Sequence, residues 1–187
     1  MRKFADLFVI SGLILLSLGI FSIVEPTLNR EVNNDSADRV AAANTEQPIR
    51  IIIPEIGVNA PLVYPTETKE EVFQKFLENG VAHFPGTALP GEVGNAYYFG
   101  HSSDYSYKNG NYKEVFSRLP RLNIGDSIYF EYSNSSKIEY KIIQAKIVKP
   151  TDLSVLSQET QNEKLLTLQT SYPIGFSYER YLVIGKL

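Results

Sequence analysis

From Pro48 onward the chain is a succession of short runs rich in β-branched and aromatic residues, punctuated by Gly, Pro and Asn clusters. That pattern is what most restricts the fold. Residues 49–53, 58–64, 81–84, 95–101, 126–132, 137–148, 164–171 and 179–187 each read as a strand. Pro61 demotes the second of these toward an edge or a bulge. Ser133-Asn134-Ser135-Ser136 joins two of the strands as a hairpin, and residues 150–157 read as a crossing segment with a helical turn. Helical signals are few and short. Residues 66–77 carry an apolar face of Val72, Phe73, Phe76 and Leu77, with Thr66 or Thr68 as the expected cap, and Asn79-Gly80 ends the helix. Residues 112–119 predict a second short helix. Many strands, few helices and no βαβ alternation predict a mainly β fold, a closed or nearly closed barrel of about eight strands.

The last two strands place chemistry on this frame. The loop Tyr172-Pro173-Ile174-Gly175-Phe176-Ser177-Tyr178 reads as the turn of an antiparallel pair centred near Gly175 and Phe176. In that register Ser171 faces Arg180, and directly opposed residues share a face of the sheet. His101 falls at the end of another predicted strand. A hydroxyl, an imidazole and a guanidinium are one nucleophile, one acid/base and one positive group for a developing oxyanion, the parts that acyl transfer needs. Each also has a bland reading, as a polar strand end, a rim histidine, or an arginine paired with Glu179 or Asp152.

Ahead of the strands, residues 7–24 are uncharged and apolar on all sides, preceded by Arg2 and Lys3 and closed by Glu25-Pro26. At about 1.5 Å rise per residue such a run nearly spans a hydrocarbon core of roughly 30 Å. With its positive flank inside, residues 1–25 predict a cytoplasmic N-terminus and an uncleaved transmembrane signal anchor, the remainder being exported. A cleaved signal peptide is the competing reading, but no small-residue cleavage site directly follows the apolar run. Residues 26–47 are polar, without an apolar period, and read as a flexible stalk, leaving 48–187 as the barrel domain.

Composition removes several function classes. Net charge is −3, against nucleic acid as principal partner. There are no cysteines, hence no disulfides or thiolate metal sites, and the two histidines are too far apart for a helical metal pair. The Gly/Pro loop after residue 84 lacks the spacing of a phosphate loop. Glu55, Glu92 and Asp104 are possible calcium ligands without a dense carboxylate loop around them, so no metal and no cofactor is expected. His83 reads as a structural histidine. Tyr97, Tyr98, Tyr105 and Tyr107 are candidates for lining a peptide groove.

Taken together the motifs resemble those of the sortases, membrane-anchored cysteine transpeptidases of bacterial surfaces. Thr167-Leu168-Gln169-Thr170-Ser171 is similar to the family's Thr-Leu-x-Thr-Cys. Gly100-His101 resembles the catalytic histidine motif, and Arg180, within Arg-Tyr-Leu-Val, the active-site arginine. The segments around Ile53-Pro54-Glu55-Ile56-Gly57 and His83-Phe84-Pro85-Gly86-Thr87 resemble the opening strands, nearest classes D to F. The resemblance implies a barrel with His101, Ser171 and Arg180 at its site. It implies cleavage of an LPXTG-like sorting signal on secreted proteins and transfer of the acyl group to a cell-surface amine or a pilin lysine, by a single-pass membrane protein with an extracellular catalytic domain.

The departure is at the reacting atom, where Ser171 stands in place of the cysteine. A thiol with a pKa near 8.5 yields appreciable thiolate beside His and Arg; a hydroxyl needs a base to take its proton during attack. Severe loss of cysteine-type catalysis is therefore expected. A substitution made to trap substrate, a serine-bearing relative that is inactive or slow, and a true serine enzyme all fit. So does a non-catalytic homologue that only binds the sorting peptide. A serine hydrolase would want His101 oriented by a carboxylate. Asp104 lies in the next loop, with no sign in the sequence that it reaches the ring.

Overall fold

The computed structural model describes residues 46–104, 107 and 109–187. The expected anchor, nearly all of the expected stalk and Tyr105 lie outside the described residues. Among the described residues, no helix is long and apolar enough to cross a membrane.

Eight strands close into a barrel. They are β1 (Arg50–Ile53), β2 (Val58–Val63), β3 (Val81–His83), β4 (Gly94–Phe99), β5 (Ser127–Glu131), β6 (Lys137–Val148), β7 (Lys164–Tyr172) and β8 (Glu179–Lys186). Their order around the barrel is β1-β2-β3-β4-β7-β8-β6-β5, and β1 pairs with β5 to close it. Alternation sorts the side chains. Ile51, Ile53, Tyr98, Phe130, Tyr140, Leu166 and Leu168 are sealed inside, each worth about 1.5–3 kcal/mol of burial. The long β6 serves two neighbours. Its first half pairs with β5 and its second with β8, with an irregularity between Ile142 and Gln144.

Several local expectations need correction. The helix α1 (Glu70–Leu77) begins after Lys69, so neither Thr66 nor Thr68 caps it, and Lys69 itself makes no side-chain cap bond. The acids Glu70 and Glu71 fill its first turn and complement the helix dipole. Residues 112–119 form no α-helix. Val115 and Ser117 donate to carbonyls three residues back, and Phe116 N–H is diverted to His101 O at 2.9 Å, so the stretch winds as turns into a 3-10 turn at Leu119–Arg121. One βαβ unit is present after all, because β2 and β3 are parallel neighbours joined through α1. Pro61 sits just before that parallel pairing starts at Leu62, where β2 has no partner on the β3 side to receive the missing N–H.

α1 lies over the outer face of β3 and β4. Phe73 packs against Phe84 and Phe99, with ring centroids 5.7 and 4.9 Å away. On the other flank, the segment between β6 and β7 folds a 3-10 turn at Leu153–Leu156, as its sequence suggests. Gln158 fastens it to the barrel. Its Oε1 accepts from the Ala88 and Asn95 N–H groups at 3.1 and 3.0 Å, and its Nε2 donates to Asn95 O and Leu156 O at 3.1 and 3.0 Å. α1 and this segment are the two banks of a cleft on the β4–β7–β8 surface.

Candidate active site

β4 and β7 are parallel and in register from Gly94↔Lys164 to Phe99↔Gln169, where β4 ends and β7 runs on to Tyr172. Past that point the chain continues to be tied. Gly100 N–H donates to Gln169 O at 3.1 Å, and the buried Thr170 hydroxyl donates to Gly100 O at 2.9 Å. These bonds hold Gly100-His101 against the end of β7. β7 and β8 pair in the register expected from the turn, with Ser171 directly opposite Arg180. Because Leu166, Leu168 and Thr170 point inward, Thr167, Gln169 and Ser171 face outward, and Arg180 shares that face.

The structure brings all three sequence-predicted residues to one cleft. A cavity of about 270 Å³ is lined by His101, Ser171 and Arg180, with Phe73 and Leu77 of α1 on one bank and Leu153, Val155 and Leu156 on the other. A second hollow, about 490 Å³, also reaches His101 and Ser171 and is lined by Ser102, Ser103, Asp104, Gly175, Phe176 and Ser177. The two share Gln74, His101 and Ser171 in their linings.

Arg180 pairs with neither Glu179 nor Asp152 through their carboxylates. Its Nη1 donates to the backbone oxygens of Ser177 and Glu179, both at 3.0 Å, which turns the guanidinium back along its own strand end. His101 has a partner that sequence reasoning did not place, since its Nε2 lies 3.8 Å from Asp104 Oδ2. The floor holds a second. Tyr97 OH donates to Gln169 Oε1 at 2.5 Å. Burial pushes the Tyr97 phenol well above its usual range, an effect the Arg180 charge opposes and the Asp152 charge adds to.

The tyrosine candidates divide. Tyr97 lines the cleft, Tyr98 is fully inside the barrel and is corrected to a core residue, and Tyr107 is exposed. Tyr98 follows from strand parity, since only alternate residues of β4 reach the outer face. His83 is a core histidine, held between the rings of Tyr64 and Tyr98 at centroid distances of 5.6 and 4.9 Å. Among the described residues no three His, Asp or Glu side chains gather as a metal site. Glu92 instead accepts from Leu89 N–H at 2.8 Å.

A hydroxyl opposite a guanidinium, with an imidazole at the neighbouring strand end, supplies the kinds of group that covalent acyl transfer uses. Comparison with known proteins agrees with the fold and the motifs. The sequence profile of the sortase domain matches residues 51–187. Sortase D of Bacillus subtilis (strain 168) is 27% identical over 213 residues, covering 100% of this chain and 98% of that protein. The structure of sortase C-1 from Actinomyces oris superposes with a TM-score of 0.61 at 29% identity, covering 75% of this chain and 74% of that one. The lid-mutant of Streptococcus agalactiae sortase C1 gives 0.60 at 32% identity, over 76% and 70% of the two chains. This chain belongs to the sortase family.

Proposed function

We propose that this chain is a sortase-type transpeptidase fold whose site is His101, Ser171 and Arg180, and that Ser171 leaves it inactive or strongly impaired as written. The observation that carries this reading is the meeting of His101, Ser171 and Arg180 on one cleft, with Ser171 and Arg180 in direct register. In the family's reaction a thiolate attacks the carbonyl of a sorting-signal Thr. The acidic group of the site protonates the departing amine, and a second amine takes the acyl group from the enzyme. A two-substrate transfer needs two approaches to one carbonyl, and two hollows reach Ser171 and His101. Ser171 can enter this sequence only if His101 takes its proton during attack, and the product is an ester rather than a thioester.

In this reading residues 1–25 anchor the chain in the membrane, residues 26–47 form the stalk and residues 48–187 are the exported barrel. The partners are secreted proteins with a C-terminal sorting signal and an amine acceptor on the envelope or a pilin lysine. Ser171→Cys, incubated with a sorting peptide and an amine, is expected to give an acyl-enzyme and a ligated product by mass spectrometry. A folded variant that gives neither sinks the assignment. A peptide-binding role without turnover is the reading left if the unmodified chain binds the peptide saturably and never forms an ester. The His101–Asp104 contact favours one further reading, a serine-dependent hydrolase. Labelling of Ser171 by a fluorophosphonate at neutral pH supports it, and no labelling removes it.

A further inference from the structure

Gln169 lies two residues before Ser171 on the same outward face of β7 and lines the same cleft. Its Oε1 is taken by the Tyr97 hydroxyl at 2.5 Å. That bond decides which end of the amide is free. Among the described residues no acceptor meets Gln169 Nε2, and no sealed side-chain nitrogen or oxygen lacks a partner, so Nε2 opens onto the cleft. The donor is neutral and preset. Tyr97 is 2% exposed and cannot swing away, so it holds the amide in one orientation.

We propose that Gln169 is a specificity residue, donating from its side-chain amide to a main-chain carbonyl of an extended peptide in the 270 Å³ cleft, with Tyr97 as its positioning residue. The inference rests on the reading that Ser171 meets the acyl carbon. Two residues along a strand advance about 6.8 Å, and an extended peptide laid beside β7 repeats at the same distance. For a peptide running parallel to β7, the carbonyl that meets Gln169 is two residues before the acyl carbon. The banks carry Phe73, Leu77, Leu153, Val155 and Leu156 beside the polar Glu70, Gln74 and Asp152. Such a cleft buries peptide side chains on its apolar patches while a fixed donor on the floor sets their register. Arg180 lines the same cleft with its Nη1 committed to Ser177 O and Glu179 O.

The test uses binding to the unmodified, serine-bearing chain. The probes are fluorescent Leu-Pro-Ala-Thr-Gly and its analogue with an ester in place of the Pro–Ala amide, which weakens that carbonyl as an acceptor. The ester is expected to bind the unmodified chain about three- to tenfold more weakly, the scale of one neutral hydrogen bond. Gln169→Leu and the near-isosteric Gln169→Met are expected to lose about the same factor toward the amide peptide and to stop discriminating the ester. Tyr97→Phe is expected to lose part of it, by releasing the amide. Circular dichroism identifies a variant that has not folded. Equal affinity in both Gln169 variants, or an ester penalty that survives in them, overturns the inference and leaves the proposed function standing. No saturable binding by the unmodified chain, together with no acyl-enzyme from Ser171→Cys, overturns both.

Discussion

His101 Nε2 lies 3.8 Å from Asp104 Oδ2, and the two side chains are only 15% and 10% exposed. The separation is that of an ion pair rather than a hydrogen bond. A carboxylate held there stabilises positive charge on the ring whenever His101 carries a proton, and restricts the ring's orientation. On the proposed reading, Asp104 acts through His101 as a positioning residue. In the Ser171→Cys protein, Asp104→Asn is expected to lower kcat about ten- to a hundredfold, about 1.4–2.8 kcal/mol of barrier, with KM little changed. Steady-state kinetics with a sorting peptide checks it. A change confined to KM would assign Asp104 to peptide binding instead.

Gly100 is the close approach that lets His101 sit at the end of β7. A β-carbon on it would lie 2.8 Å from Val115 Cγ1 and 2.9 Å from Phe116 Cδ2, and Phe116 is fully buried. Phe116 in particular has little room to yield, because its side chain is sealed and its N–H is bonded to His101 O. Gly100→Ala is expected to cost about 1–3 kcal/mol, the range of an overpacked core. Urea unfolding should show a lower midpoint at unchanged slope. The same variant in the Ser171→Cys background should lose more activity than its remaining folded fraction explains. An unchanged midpoint would mean that the Val115–Phe116 turn moves freely, contrary to the packing.

What was legible in the sequence follows the range of each signal. The Ser171–Arg180 pairing is local, since one seven-residue loop sets the register between two adjacent strands, and the structure has that register. Residues 137–148 likewise predict β6 as Lys137–Val148, because turn residues bound the run at its start and a proline follows close behind it. The Tyr97–Gln169 bond was out of reach. It depends on parallel pairing of β4 with β7 across about 70 residues, which leaves no periodic trace in either strand. Asp104 is visible in the sequence as a carboxylate, but its approach to His101 is set by a loop whose path depends on tertiary contacts. Residues 112–119 carry helical composition, yet the Phe116–His101 backbone bond outweighs that preference.

His83 gives the barrel an acid limit. Its Nε2 is 3.0 Å from Ala88 O and 3.0 Å from Thr87 Oγ1. Thr87 spends its own proton on Phe84 O at 2.7 Å, so Nε2 carries the hydrogen and donates to Ala88 O. The neutral ring is complete in this setting. Burial pushes its pKa below the ordinary histidine value, against weaker opposing effects from the Ala88 carbonyl, Glu92 and Thr87. A depressed histidine pKa means that the unfolded chain binds the proton first. This contribution to stability is full above the unfolded value of about 6.5 and is lost as pH falls toward and through the folded value, at up to about 1.4 kcal/mol per pH unit. His83→Phe keeps a ring between Tyr64 and Tyr98, gives up the Ala88 bond and cannot be protonated. It is expected to be less stable than the unmodified chain at pH 7.5, with the gap narrowing as pH falls from about 6.5 to 5.5. Thermal or urea unfolding across that window measures the difference in slope, and parallel curves would show that His83 is not the group that titrates.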